Sequence, residues 1–220
     1  MTKTVRQIFF ESLGTYILLL AIVGSGVMAT NLTDSIALAL LINAAAIGAT
    51  LFVLISVLDN LSGAYFNPVV VLYALIHKKM SIELGIYLVL AQFIGGFLGA
   101  ITANYTFGNQ VISIASNDRF SFPAFFAEII ATAGLIFIIS KKKKFLPEAS
   151  IATVVSLWIF GAIFFTSSTA FANPAVTVSR IFTDSFTGIS PISALWFVGA
   201  EVIAVGLVYL LNIATKVKRK

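Results

Sequence analysis

The chain has 220 residues, 59% of them hydrophobic and 10% charged, with a mean hydropathy of +1.02 and a net charge of +5. A soluble domain carries roughly 25% charged residues to solvate its surface, so the composition excludes a water-soluble globular fold and leaves an integral membrane protein with the lipid bilayer as its main solvent. One His and no Cys exclude a thiol nucleophile, a disulfide framework, an iron-sulfur site and a multi-histidine metal centre. With no nucleophile–base pair in view, neither an enzyme nor a cofactor is expected. The basic residues lie between apolar runs rather than on one surface, so no nucleic acid partner is expected either.

Six apolar runs approach the roughly 20 residues needed to cross about 30 Å of hydrocarbon: 7–30, 35–58, 83–105, 122–140, 150–168 and 192–212. The first contains Glu11 and lacks a convincing cleavage site, so it reads as a retained span rather than a signal peptide. With these spans, 12 basic residues (Lys3, Arg6, Lys78, Lys79, Lys141 to Lys144, Lys216, Lys218, Arg219 and Lys220) fall on one side and two, Arg119 and Arg180, on the other. The positive-inside rule then predicts cytoplasmic termini and a multi-pass protein of the plasma (inner) membrane.

Two shorter apolar stretches, 67–76 and 173–182, span about 15 Å each as helix, half a membrane. Each opens on Asn-Pro, and Pro is suited to a first helical turn, where its missing N–H has no intrahelical partner to lose. They read as re-entrant half-helices. The two halves of the chain also match in order. Phe9-Phe10-Glu11 with Thr15 corresponds to Phe125-Phe126-Ala127-Glu128 with Thr132. Phe66-Asn67-Pro68-Val69-Val70 corresponds to Ala172-Asn173-Pro174-Ala175-Val176, and the Ala91-Gln92 end of one segment to Ala200-Glu201. Three spans per half place the second half upside down, which predicts an all-α inverted repeat of about 1–110 and 118–220 within a single transmembrane domain, 1–220. The half-helices then meet by their N-termini at the midplane, where their dipoles oppose cations and Asn67 and Asn173 cap backbone N–H groups while offering amide donors.

The sequence resembles the aquaporin, or major intrinsic protein, family. The resemblance runs through Glu11-Ser12-Leu13-Gly14-Thr15, Ser62-Gly63-Ala64-Tyr65-Phe66-Asn67-Pro68-Val69, Ala91-Gln92 with Gly95-Gly96, Ala127-Glu128 and Asn173-Pro174-Ala175. It implies six transmembrane helices with two half-helices, an hourglass channel in each subunit of a homotetramer, and passive movement of water or small uncharged solutes. The small-xxx-small pair Gly95 and Gly99 permits close helix contact, either within a subunit or between subunits. The two pore motifs are Asn67-Pro68-Val69 and Asn173-Pro174-Ala175. Ungapped offsets from the two Asn residues put the family's four filter positions at Ile47, Gly161, Ala170 and Val176, with Val where the family's filter Arg normally sits and no polar filter side chain. The stretch from Thr166 to Thr177 is similar to a bacterial subgroup linked with arsenic resistance, in which that Arg is likewise replaced.

Arg180 lies one turn beyond Val176, about 40° around the helix. Two readings stand open: an interfacial pair with Asp184 at (i, i+4), or an outer-vestibule cation. Carboxylates within a membrane are functional candidates by default. The resemblance gives Glu11 and Glu128 the role of buttressing the re-entrant loops. Glu201 stands where the first half has Gln92 and supplies the alternative reading, a proton-coupled carrier on the same fold. His77, beside Lys78 and Lys79, reads as an interfacial residue. The leading expectation is a passive channel for glycerol-like polyols, arsenous acid or other metalloid hydroxides, with water as a co-permeant.

Overall fold

A computed structural model describes residues 1–145 and 148–217. Residues 146, 147 and 218–220, among them Lys218, Arg219 and Lys220 of the basic set, lie outside the described residues, as do the side chains at 142–145, 216 and 217.

The described residues form eight α-helices and a 3-10 turn: α1 (Lys3–Leu32), α2 (Ile36–Ser62), α3 (Pro68–Ile76), α4 (Ile82–Thr106), α5 (Phe122–Phe145), α6 (Ile151–Phe165), α7 (Pro174–Ser179), the turn Arg180–Phe182, and α8 (Pro191–Val217). Hydroxyl residues start four of the long helices. Thr2, Ser35, Ser81 and Ser150 each accept a hydrogen bond from a backbone N–H in the first turn, satisfying a donor that has no intrahelical partner. Gly63 ends α2 with φ +97, a left-handed stop that glycine adopts without a Cβ clash.

Among the described residues, five helices are long and apolar enough to cross a membrane. The sixth expected span, 150–168, ends earlier: α6 has 15 residues, about 22 Å, because Thr166 turns extended at φ −114 and the chain enters the loop leading to α7. The second half-helix is likewise shorter than the stretch 173–182, with α7 giving way to the 3-10 turn at Arg180.

Packing follows the inverted repeat. α1 lies against α4 and α2, as α5 lies against α8 and α6. Each half-helix contacts the last helix of both halves, α3 with α4 and α8, α7 with α8 and α4. The α2–α6 contact joins the halves along the axis. Outward faces are apolar, as lipid requires: Ile86, Leu90, Ile94 and Leu98 form an exposed stripe on α4, one turn apart. The interior instead holds Glu11, Gln92, Glu128 and Glu201, all fully buried.

Gly95 and Gly99 serve contact within the chain. A Cβ at Gly95 would stand 2.1 Å from the Ser12 carbonyl oxygen, and one at Gly99 2.2 Å from that of Tyr16, so α1 and α4 are in backbone contact there. Gly95→Ala is expected to destabilise the protein by about 1–3 kcal/mol through overpacking against backbone that cannot rotate away. Gly199→Ala, whose Cβ meets nothing within 4 Å, is expected to be neutral. Thermal unfolding in detergent compares the two.

Candidate functional site

Both re-entrant loops are built on left-handed backbone. Ala64 and Phe66 have φ of 44 and 46, and their counterparts before Asn173, Ala170 and Ala172, both have φ of 47. Each such residue costs about 1–2 kcal/mol. The conformation turns the loop N–H groups toward a buried carboxylate. Glu11 accepts from Tyr65 N (2.9 Å), Phe66 N (2.8 Å), the Ser62 hydroxyl (2.8 Å) and Gln92 Nε2 (2.8 Å). Glu128 accepts from Phe171 N (3.3 Å) and Ala172 N. Charge-assisted bonds of this kind are worth about 1.5–3 kcal/mol each, enough to offset the strained dihedrals.

The loops deliver Asn67 and Asn173 to helix N-caps. Asn67 Oδ1 accepts from Val69 N at 3.1 Å, and Asn173 Oδ1 from Ala175 N at 3.0 Å and Val176 N at 3.3 Å. Their amide nitrogens cross over: Asn67 Nδ2 donates to Ala172 O and Asn173 Nδ2 to Phe66 O, both at 2.7 Å. Each Nδ2 has two N–H groups, so one remains on each Asn, and both residues line the same cavity.

That cavity, ≈ 340 Å³, runs the length of the bundle. Its walls are helix faces that repeat every three to four residues: Ile47 and Leu51 of α2, Val155, Ile159 and Ile163 of α6, Leu18 and Ile22 of α1, and Leu135 and Ile139 of α5. Residues 63–66 and 169–172 also line it. The Phe66 ring packs over Gly14, so this residue shows the cavity its backbone.

Of the four positions placed by offset, Ile47, Ala170 and Val176 line the cavity and Gly161 does not. Gly161 stands two residues from both Ile159 and Ile163, which puts it about 160° away around α6. The offset of 12 from Asn173 runs across non-helical residues 166–173, where helical spacing carries no angular information.

Arg180 also lines the cavity, while its proposed partner Asp184 is held elsewhere, accepting from Ser116 N at 2.9 Å and Ser116 Oγ at 3.0 Å. The Arg180 guanidinium lies 3.5 Å above the Phe171 ring and its Nε donates to Thr187 O, so the ion-pair reading gives way to a cation at the mouth. Glu201 is fully buried and off the lining; its Oε1 accepts from Asn173 N (3.0 Å) and the Thr177 hydroxyl (2.7 Å). A relay through Glu201 would need contact with the permeant, and nothing here supports the carrier reading. His77 caps α3, its ring against Tyr73 at 4.2 Å and off the lining.

Among the polar lining residues, Asn43, Asp59 and Arg119 escape sequence reasoning. Asn43 donates to Ile22 O (2.8 Å) and Ser25 Oγ (2.9 Å) and sits one turn from Ile47, so its place on the same face was legible once Ile47 had been chosen. Arg119 lies in the connection between α4 and α5, where no periodicity exists to place it. That connection is clasped to the segment after α7 through Ala115 N to Ile181 O (2.8 Å) and Ser190 N to Asn117 O (2.8 Å).

Residues 1–168 match the family described as Major intrinsic protein. The chain is 40% identical over 199 residues, covering 90% of it and 84% of the relative, to a protein of Rhizobium meliloti (strain 1021) named Aquaglyceroporin AqpS. It is 26% identical over 152 residues to a protein of Oryza sativa subsp. japonica named Probable aquaporin TIP2-2, covering 68% and 61% of the two chains. The fold is similar to the X-ray structure of the aquaglyceroporin from Plasmodium falciparum, with a TM-score of 0.72 and 24% identity over 98% of this chain and 97% of that one.

Two outcomes are expected. Glu11→Gln keeps one acceptor oxygen but turns an amide donor toward two of the four donors and should destabilise the fold by about 3 kcal/mol, whereas Glu201→Gln, which keeps the Oε1 acceptor and alters only the unpartnered Oε2, should unfold near the native temperature. At the outer clasp, the bonds from the Ser116 N–H and hydroxyl hold the Asp184 carboxyl below its usual range. Its contribution is therefore fully present above the ordinary aspartate value of about 3.9 and is lost as pH falls through the lowered value. Protease nicking between residues 107 and 121 should stay slow down to that ordinary value and accelerate only below it. Asp184→Asn should nick faster already at neutral pH.

Proposed function

Because the chain belongs to the major intrinsic protein family, we propose that its cavity carries small uncharged solutes, glycerol-like polyols and metalloid hydroxides such as arsenous acid, with water alongside. The protein is a passive transmembrane channel. The observation that carries the solute class is the lining formed by Ile47, Ala170, Val176 and, from α6, Ile159 and Ile163, whose side chains are all apolar. A constriction of this kind gives water few partners to replace its hydration, and the small Ala170 and Val176 leave room for a larger neutral solute. The relative from Rhizobium meliloti bears the name aquaglyceroporin, which accords with that reading.

At the midplane, the free amide N–H groups of Asn67 and Asn173 donate to a passing hydroxyl, and the half-helix N-termini oppose cations. Glu11 and Glu128 act as loop supports, holding both Asn residues at the lumen. Both termini are cytoplasmic and the membrane is the plasma membrane, as the 12 to 2 distribution of basic residues argues. The assembly is a homotetramer, as the family resemblance implies.

Stopped-flow light scattering on proteoliposomes, with water, glycerol and arsenous acid in parallel, tests the reading: flux of all three above empty liposomes is expected, and a protein passing water alone would overturn the solute assignment. Val176→Arg adds bulk and charge at the constriction. It should slow glycerol by about tenfold, equivalent to about 1.4 kcal/mol of barrier, and slow water much less. The native chain has no Cys, so orientation is open to labelling: Ser116→Cys should react with an impermeant thiol reagent in intact cells and Lys79→Cys should not.

A further inference from the structure

Two segments far apart in sequence bring both basic residues of the outer end to one aromatic ring. The Cζ of Arg180 lies 3.5 Å from the Phe171 ring centroid and that of Arg119 lies 5.6 Å from the same point. Together they take three consecutive carbonyls. Arg119 donates from Nη2 to Phe186 O and from Nε to Gly188 O, both at 2.7 Å, and Arg180 donates from Nε to Thr187 O. This strap fixes both guanidinium planes.

Each guanidinium has five N–H donors, so most are unspent. Arg180 is only 6% exposed, both arginines line the cavity, and neither Nη of Arg180 nor Nη1 of Arg119 belongs to the sealed polar atoms that lack a partner. The free donors therefore open on the lumen. Among the described residues no carboxylate is hydrogen-bonded to either guanidinium. Asp118 accepts from Ser193 Oγ and Phe120 N, Asp184 from Ser116, and Glu128 from the loop N–H groups of Phe171 and Ala172. A buried cation and a half-buried one, facing the outer part of the cavity with no carboxylate oxygen hydrogen-bonded to either guanidinium among the described residues, form an acceptor-seeking site. A guanidinium fork matches two oxygens on one centre, and the Phe171 face steadies the cations without neutralising them.

We propose that Arg119, Arg180 and Phe171 form a docking site at the outer mouth for a small oxyanion, a carboxylate or the monoanion of a tetrahedral oxyacid. The proposal rests on the channel reading and extends its solute class: weak oxyacids gather at the mouth as conjugate bases, and the apolar section around Ile47 and Val176 admits only the undissociated form, because a charge there has no partner. Arg119 is a specificity-determining residue contributed from outside both pore motifs.

The probe is methanesulfonate, a tetrahedral anion at all working pH values, with dimethyl sulfone as its neutral counterpart of similar shape. Glycerol flux is measured in proteoliposomes of the full chain, methanesulfonate replacing chloride on both sides at constant ionic strength. Saturable block by methanesulfonate and none by dimethyl sulfone is expected. Arg119→Gln should raise the half-blocking concentration by at least about tenfold relative to its own unblocked flux, since a charge-assisted hydrogen bond is lost. Arg119→Lys, which keeps the charge and loses the fork, should fall between. No block of the native channel, or equal block of native and Arg119→Gln, overturns the proposal. Should Arg119→Gln fail to fold, the unfolding temperature of the native protein decides: a rise with methanesulfonate and not with dimethyl sulfone supports the site, and no rise refutes it. Absence of glycerol flux in the native protein would refute the polyol reading instead, and the unfolding temperature still reports on the docking site.

Discussion

A carboxylate in the middle of a bilayer has to be surrounded by donors, and in this protein the donors are the backbone N–H groups of loops that have no secondary structure to satisfy them. Glu11 and Glu128 solve two problems with one set of bonds. Irregular backbone at membrane depth is tolerated only where its polar groups find partners inside the protein or at a water-filled lumen. The left-handed residues at 64, 66, 170 and 172 are the geometric expression of that constraint. They turn the N–H groups inward toward each Glu and leave the other side of the loops to the cavity. Remove the carboxylate and the loop has both strain and unsatisfied donors, with nothing to hold the Asn caps at the lumen.

The arrangement divides labour along the channel. At the midplane, each Asn caps one half-helix through Oδ1 and ties the opposite loop through Nδ2, so the two halves are locked across the repeat axis by the groups that also face the permeant. Away from the midplane the walls are mainly aliphatic, contributed by faces of α1, α2, α5 and α6, with Asp59 near the end of α2 as an acidic exception. Polarity returns at the outer mouth, where Asn43 and the two arginines stand. A neutral solute meets few hydrogen-bonding groups between these points, which suits molecules less tightly hydrated than ions.

The repeat is not perfectly symmetric, and the departures are instructive. In the first half Gln92 donates to Glu11. In the second, Glu201 occupies the matching place and accepts from Asn173 N and Thr177 Oγ1 instead. The same position thus supports the carboxylate on one side of the molecule and the half-helix on the other. The half-helices differ too, with nine residues in α3 and six in α7. The early end of α7 lets the chain turn at Arg180 and bring the 186–188 strap back over the mouth.

Composition and hydropathy by themselves determined the solvent and five of the six spans, because a bilayer imposes a length and a polarity that can be counted along a chain, and the ordered motif matches added the inverted repeat. The two Asn-Pro pairs and the paired Glu residues were legible for the same reason: each departs from an apolar background in a way that repeats. What only the tertiary structure decided lies where the chain is not periodic or where partners are remote. The angular position of α6 residues relative to Asn173 depends on seven intervening residues, 166–172, that are not helical, so the offset led to Gly161 while Ile159 and Ile163 face the cavity. Gly95 and Gly99 declared close contact but not the partner, which is the backbone of α1. Arg119 sits in a connection whose course is set by hydrogen bonds to the segment after α7. Its meeting with Arg180 over Phe171 is a consequence of packing, since local sequence carries the period of an element but not the register between elements.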